Sequence, residues 1–203
     1  GLRGSRDKDS WELAFYNSEV EGFIHPVVVG FTRGLGIYQY QNAENVDIQG
    51  MEFDYQRSLT DKLSFKLAVA ISSGDLFEDN EKYPLPEIDP KELILGLNWI
   101  PEDDKFSLQA LLTLVGKSKD NLEAVCVNNS CSPRVQTPGY SLLDLFASYN
   151  PNENLELRLA IENATDKKYL RWASVAALPA NDPELDLYGQ SGRSVSVSFK
   201  FTF

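Results

Sequence analysis

Apolar and polar residues alternate one by one in eight segments of the chain. A period of two turns successive side chains to opposite faces, so it predicts β-strands with one apolar and one polar face. Seven of these segments are 11–16, 46–56, 63–72, 92–99, 106–115, 142–149 and 155–162. The last segment, 193–203, is the clearest, because one face carries only apolar residues: Val195, Val197, Phe199, Phe201 and Phe203.

The length of these segments bears on the kind of all-β protein they form. Most run for roughly eight to eleven residues, which is close to what a tilted strand needs to cross a bilayer. Strands of soluble proteins average about five or six residues. The pattern therefore favours a membrane barrel, and a soluble β-sandwich that buries its apolar face against a second sheet is the alternative.

In segment 46–56 the alternation changes phase at Gly50. Val46 and Ile48 hold the apolar positions before it, and Met51 and Phe53 hold them after it. A one-residue slip at a glycine inside a strand predicts a β-bulge at this position.

The connections between the predicted strands are short and long in turn. Short turns rich in Pro, Asp and Asn are predicted at 59–62, 101–104 and 151–154. Long connections span 23–41, 74–90, 117–138 and 164–192. Short turns on one rim and long loops on the other are typical of bacterial outer-membrane barrels, whose turns are periplasmic and whose loops are extracellular.

Composition narrows the function classes. The net charge of −11 argues against nucleic-acid binding, which needs a basic surface. No run of about 18 apolar residues occurs, so no transmembrane helix is predicted, whereas barrel strands need only alternate apolar residues. The chain begins with Gly, and we expect it to be a processed or truncated product.

The two cysteines, Cys126 and Cys131, lie close together in a polar segment. They are candidates for a small disulfide loop, which an oxidising compartment would maintain, and two reduced thiols are the alternative. A two-thiol metal site needs further ligands, and the chain has one His, so no metal site is predicted.

Several segments of the chain carry short motifs: 137–144 (TPGYSLLD), 161–169 (IENATDKKY) and the closing strand after Gly192 and Arg193, with 1–4 (GLRG) and 45–52 (NVDIQGME) upstream. Together they resemble the C-terminal part of TonB-dependent outer-membrane receptors. Segment 161–169 and the closing strand are the most telling. Ala164 departs from the pattern, because the family usually has Leu there. The resemblance covers essentially the whole chain.

This resemblance implies an antiparallel transmembrane barrel of about 22 strands. Residues 1–203 would be its C-terminal portion of about eight strands, with the plug domain, the TonB-contacting segment and the earlier strands upstream. The last strand, with Phe199, Phe201 and Phe203, would be recognised by the barrel-assembly machinery. The expected location is the bacterial outer membrane, in contact with the lipid bilayer.

Within the family, Pro138 and Trp172 with their neighbours look most like the haem, haemoglobin and transferrin receptor branch. The resemblance implies a receptor that binds haem or a haemoprotein and imports it with energy supplied through the TonB complex. A ferric-siderophore receptor of the same fold is the alternative. No enzymatic activity and no permanently bound cofactor are expected, since haem or a ferric chelate would be the transported ligand.

Four residues are candidate ligand contacts. His25 follows the first strand in a long loop, and an imidazole there is able to coordinate haem iron; an ordinary loop His is the alternative. Arg171, Trp172 and Tyr188 lie in the longest loop, where they are candidates to contact a haem face, its propionates or a protein partner. Interface aromatics and a solvated charge are the alternative for these three.

Two other functions compete with transport. An outer-membrane hydrolase of the protease or lipase kind needs a nucleophile beside a His, and His25 is the only imidazole in the chain. A stand-alone barrel that anchors or adheres is possible for eight strands. Residues 1–4 argue against it, because they read as the tail of an earlier strand.

Overall fold

The alternating segments form long antiparallel strands in the computed structural model, which describes residues 1–33, 35–42, 45–78, 81–101, 105–118, 124–127 and 130–202. The strands are β1 Leu2–Arg6, β2 Asp9–Glu21, β3 Ile24–Thr32, β4 Leu35–Asn42, β5 Asn45–Ser58, β6 Leu63–Glu78, β7 Glu81–Pro84, β8 Glu92–Trp99, β9 Phe106–Val115, β10 Val125–Val127, β11 Ser130–Ser132, β12 Tyr140–Asn152, β13 Leu155–Glu162 and β14 Ser194–Phe201. A short helix, α1 (Trp172–Val175), and a 3₁₀ helix (Leu185–Tyr188) lie between β13 and β14. Within this part of the chain, no helix is long and apolar enough to cross a membrane.

The strands build one large open sheet in the order β1-β2-β5-β6-β8-β9-β12-β13-β14, with β7 attached to β6. Every neighbouring pair on this path is antiparallel. The prediction of an all-β antiparallel fold is therefore confirmed, and each of the eight predicted strands is present. The sheet adds β1, which contains three of the four residues (2–4) that were predicted to be the tail of an earlier strand.

One face of the sheet, called the outer face below, is apolar across its middle, and polar residues such as Asn17, Gln49 and Ser73 follow only toward the long-loop rim. Because directly paired residues share a face, the ladder aligns side chains across several strands. One such row runs through six strands: Leu2, Leu13, Phe53, Val69, Leu93 and Leu114. The buried apolar residues of the described chain all lie elsewhere, and the outer face keeps Phe199 77% exposed. Neither a second sheet nor a helix covers it, which excludes the sandwich alternative for the described residues.

The opposite, inner face is largely polar. Ser107, Ser148, Arg158 and Ser198 form one of its rows. The hydroxyls of Ser107 and Ser148 lie 2.6 Å apart within hydrogen-bond distance. Such a face is suited to contact with water, as in the lumen of a membrane barrel.

The predicted bulge at Gly50 is wrong. The ladders on both sides of β5 keep their register through this residue, which pairs with Tyr16 and with Ser72. The phase of the apolar pattern changes for another reason: Val46 and Ile48 lie on the inner face, where they pack in a buried cluster. Gly50 makes room on that face for the Tyr16 ring, which a Cβ at position 50 would meet.

The connections alternate between short and long, as predicted. Tight turns lie on one rim, hereafter the short-turn rim, at residues 7–8, 59–62 and 153–154. Of the predicted turn 101–104, residues 102–104 lie outside the described residues. The opposite, long-loop rim carries the β3–β4 hairpin, β7, the β10–β11 hairpin and the two short helices, so its loops contain more regular structure than expected.

The predicted assembly signal lies on the outer face of the edge strand β14. Phe199 and Phe201 pair with Leu157 and Leu155 of β13. Phe203 lies outside the described residues. The recognition role of these rings stays a prediction.

A lysine on the outer face should oppose folding into lipid, whereas the adjacent inner-face position should tolerate it. We expect Val197→Lys to lower the free energy of unfolding in phospholipid vesicles by about 2–4 kcal/mol, because a charge on the lipid face must be buried in hydrocarbon. The measurement is denaturant unfolding of the full-length protein in those vesicles. Ser196→Lys is the matched control and should change stability by no more than about 0.5 kcal/mol. Equal effects of the two lysines would show that the faces are misassigned.

Candidate functional site

The long-loop rim is the candidate site, because its connections fold together into one unit. We call these connections loop A (22–44), loop B (79–91), loop C (116–139) and loop D (163–193). Loop B folds back over the inner face, where Leu85 is buried against Val46 and Leu76. The backbone N–H of Leu85 donates to the carbonyl of Gly74 at 2.9 Å. Gly74 is needed at this contact, because an added Cβ would lie 2.7 Å from Cγ1 of Ile88.

Loops C and D share a second buried cluster. Trp172, Val175 and Leu178 of loop D pack with Val135 of loop C. The N–H of Val135 donates to the carbonyl of Leu178 at 2.9 Å, and the N–H of Ala180 donates to the carbonyl of Pro133 at 2.7 Å. These backbone bonds align the two loops as a short antiparallel ladder, with an isolated bridge between Arg134 and Pro179.

Two side-chain hydrogen bonds join the remaining loops to this cluster. The indole Nε1–H of Trp172 donates to the carbonyl of Pro86 in loop B at 2.9 Å. The hydroxyl of Tyr38 in loop A donates to the carbonyl of Ala177 in loop D at 3.5 Å. All four loops are therefore linked across the long-loop rim.

The base of loop D is fixed by the segment that carried the family resemblance. Asn163 adopts a positive φ of 49° and is 5% exposed. Its Oδ1 accepts from the N–H of Lys167 at 2.8 Å, and its Nδ2 donates to the carbonyl of Lys167 at 2.8 Å. Asp166 accepts from the N–H of Arg193 at 2.8 Å. The turn thus holds the two ends of loop D together, because Arg193 directly precedes β14.

The structure brings two of the predicted ligand contacts close together, because Arg171 and Tyr188 adjoin the two partners of an isolated antiparallel bridge, Leu170 and Gly189. Arg171 is exposed just before α1, whereas Trp172 is 4% exposed and packs in the second cluster. A ligand could reach the Trp172 ring only if loops B, C and D opened, so its predicted contact stays a prediction. Tyr188 ends the 3₁₀ helix and is exposed. The backbone of His25 pairs with Gln41 in the β3–β4 hairpin, and its side chain lies outside the described residues.

Residues not predicted from the sequence complete the exposed surface near Tyr188. Leu187 is 78% exposed and Tyr40 is 74% exposed. Tyr38 lies two residues from Tyr40 on the same face of β4, and its electrostatic neighbours include Tyr188. We call Tyr38, Tyr40, Leu187 and Tyr188 the loop aromatic surface. No sequence signal joins these residues, because loops A and D are distant along the chain.

Charges of both signs lie near this surface: the acidic residues of loop D on one hand, and Arg134 and Arg171 on the other. Residues 172–192 contain Asp182, Glu184 and Asp186 and no Lys or Arg. Burial raises the pKa of Tyr38, and the nearby Asp182 and Tyr188 raise it further, while Arg134 acts in the opposite direction. The side chain of Arg134 also donates to the carbonyl of Ala176 at 3.1 Å.

The cysteines lie in the β10–β11 hairpin of loop C, where Cys126 and Cys131 face each other in register. Cys131 is disulfide-bonded, and Cys126 is the only other cysteine of the chain. Within the described residues, no group of three or more His, Cys, Asp or Glu side chains is arranged to hold a metal ion.

Comparisons with known proteins agree on one family. The family model described as TonB dependent receptor-like, beta-barrel, matches residues 1–164. A Haemophilus influenzae protein named probable hemoglobin and hemoglobin-haptoglobin-binding protein 4 is 24% identical over 192 residues, which cover 84% of this chain and 19% of that protein. The ferric enterobactin receptor PirA of Pseudomonas aeruginosa is 25% identical over 203 residues, covering 97% of this chain and 26% of that protein.

Comparison with solved structures shows a shared fold. A solved structure of the copper transporter OprC superposes with a TM-score of 0.80 at 19% identity, over 99% of this chain and 31% of that one. The chain thus spans a minor part of the length of the proteins it matches.

Removing the Trp172 ring should release the loops without unfolding the sheet. Trp→Ala substitutions in packed cores cost about 3–5 kcal/mol, which corresponds to at least a hundredfold change in a local opening equilibrium. We therefore expect Trp172→Ala to speed hydrogen exchange at the amides of Val135 and Ala180 at least ~100-fold. Exchange in β12 and β13 should stay unchanged. Tyr188→Ala, at an exposed aromatic of the same loop, is the control; acceleration of the same size in that variant would contradict this role of Trp172.

The contact of Tyr38 with loop D should weaken at alkaline pH. Its pKa is raised in the folded protein, so folding favours the protonated phenol. Its contribution to stability is fully present below the unfolded pKa of about 10 and is lost as the pH rises through the raised folded value. The measurement is phenolate absorbance of the full-length protein as the pH rises, in wild type and in Tyr38→Phe. The difference between the two curves reports Tyr38 alone and should have its midpoint above pH 10. A Tyr38 midpoint at or below 10 would contradict the expectation.

Proposed function

This chain belongs to the TonB-dependent receptor-like β-barrel family, and from that premise we propose that it forms the C-terminal part of a receptor that imports an iron-carrying ligand. Members of this family are outer-membrane proteins, which agrees with the exposed apolar face of the sheet. Residues 1–203 are proposed to be one portion of the barrel, completed by further strands and by a plug domain. The open edges at β1 and β14 support this, because backbone groups within a membrane must be paired.

Haem or a haemoprotein is the proposed ligand. Support comes from the similarity to a hemoglobin and hemoglobin-haptoglobin-binding protein over 84% of the chain. The loop aromatic surface adds a physical argument, because three exposed tyrosines and one exposed leucine favour contact with a protein or with the face of a flat ring. Tyrosine is also among the residues that contribute most to protein interfaces.

A ferric siderophore is the second candidate. The similarity to the ferric enterobactin receptor PirA extends over 97% of the chain, which is a larger share than for the haemoglobin-binding relative. A small chelate would need fewer contacts on the outer loops than a haemoprotein. The two candidates therefore differ in how strongly binding should depend on the loop aromatic surface.

A transport role without catalysis is proposed for the whole receptor. Its named relatives bind or transport ligands. Energy for import would come through TonB, which would act on a part of the receptor other than these residues. The hydrolase alternative has little support, because the chain offers a single imidazole.

Titration of the full-length receptor in detergent tests the proposal. We expect haemin and haemoglobin to bind, and Leu187→Ala/Tyr188→Ala to weaken haemoglobin binding about 30-fold or more, since two exposed interface anchors are lost. Leu59→Ala, at an exposed leucine on the short-turn rim, is the matched control and should change binding less than about twofold. Binding of a ferric siderophore alone, unaffected by the double variant, would favour the second candidate instead.

The role of His25 is tested in the same preparation. If its imidazole binds the haem iron, His25→Ala should shift the absorption spectrum of bound haemin and weaken its binding. An unchanged spectrum would leave His25 as an ordinary loop residue.

A further inference from the structure

The outer face carries a groove across β8, β9, β12 and β13. Its volume is about 450 Å³, and its lining is almost entirely carbon. Four leucines stand along it as walls, and each is more than a third exposed: Leu97, Leu108, Leu145 and Leu159. The neighbouring positions of the outer face are apolar too, but here the surface is concave.

Two alanines create the concavity. Ala110 pairs with Leu145, and Ala147 pairs with Leu108, so each methyl group lies beside a leucine on the next strand. Gln109 and Phe146, which pair with each other, alternate to the inner face and therefore line the groove through their main chain. The floor is thus the backbone of β9 and β12, left uncovered where the neighbouring positions carry larger side chains.

The groove lies toward the short-turn rim. Trp99, the last residue of β8, closes one end of it. The rings of Phe106 and Tyr149 stack with their centroids 4.3 Å apart, next to the turn. Ala147 is two residues from Tyr149, which places the floor about 7 Å from this ring pair along the strand. Aromatic rings of this kind mark the interface between hydrocarbon and headgroups.

We propose that this groove binds one acyl chain of a glycerophospholipid from the bilayer leaflet on the short-turn side. The groove is continuous with the surface that faces the bilayer, so hydrocarbon reaches it directly. An apolar cavity of about 150 Å³ stays dry and accepts benzene, and a groove three times larger has room for an alkyl chain. Bilayer hydrocarbon is as apolar as the groove, so close packing of the methylene groups against its walls, and not the removal of area from water, would hold the chain.

A second protein is a poorer match for the same surface. Protein interfaces combine an apolar centre with a polar rim and about one hydrogen bond per 100–200 Å². Apart from the indole of Trp99 at one end, the lining residues point no side-chain hydrogen-bonding group into this groove, and the flanking rows of the outer face are apolar as well. A flexible alkyl chain needs no such partner, and its headgroup would remain at the level of the aromatic rings.

Native mass spectrometry of the full-length receptor, purified from membranes in mild detergent, tests the proposal. We expect wild type to retain about one phospholipid, and Ala110→Leu/Ala147→Leu to retain about tenfold less, because the added side chains fill the floor and remove contact with a few methylene groups. Val69→Leu is the matched control. It lies on the same face outside the groove and should retain as much lipid as wild type.

The result can overturn the proposal in three ways. Equal retention in the double variant and wild type would place the lipid elsewhere, and absence of retained lipid in wild type would mean that the groove holds no chain firmly. Retained lipopolysaccharide instead of phospholipid would assign the groove to the other leaflet. The single variants, Ala110→Leu and Ala147→Leu, control for misfolding of the double variant. Each should retain an amount of phospholipid between that of wild type and that of the double variant. None of these outcomes depends on which ligand the receptor imports.

Discussion

The structure depends on one constraint: every long strand must pair with its neighbours while its alternate side chains contact hydrocarbon. Water cannot satisfy backbone groups inside a bilayer, so the ladder must do so. The same ladder fixes which residues share a face, and a slip of one residue would turn the whole apolar set inward. The row from Leu2 to Leu114 and the row from Ser107 to Ser198 are two results of this one registration.

Beyond the membrane-facing part of the sheet, the rule for burial changes. At the long-loop rim the inner face is covered by protein, so Val46, Leu76 and Leu85 form a small buried cluster. A second cluster around Trp172 holds loops C and D together, and its indole N–H extends the link to loop B. The loops are therefore positioned by a few buried contacts and backbone bonds, while their exposed surface remains open to a ligand.

The two surfaces proposed to bind molecules use different physics. The loop aromatic surface offers tyrosines, with polar hydroxyls, beside an acidic segment, and it suits recognition in water. The outer-face groove offers only shape, because two alanines leave backbone uncovered among leucines. Polar contacts would select a partner at the first surface, and close packing alone would hold a chain in the second.

The sequence by itself determined the eight longest membrane-type strands, their two faces and the alternation of short and long connections, because a period of two is a local property of the chain. The family followed from its short motifs. Only the tertiary structure decided that Gly50 lies in an unbroken ladder and that Trp172 turns inward while Arg171 stays exposed. It also brought Tyr38 near Tyr188, from loops about 150 residues apart. Such contacts depend on how separate loops pack against one another, and no local pattern in the sequence records that.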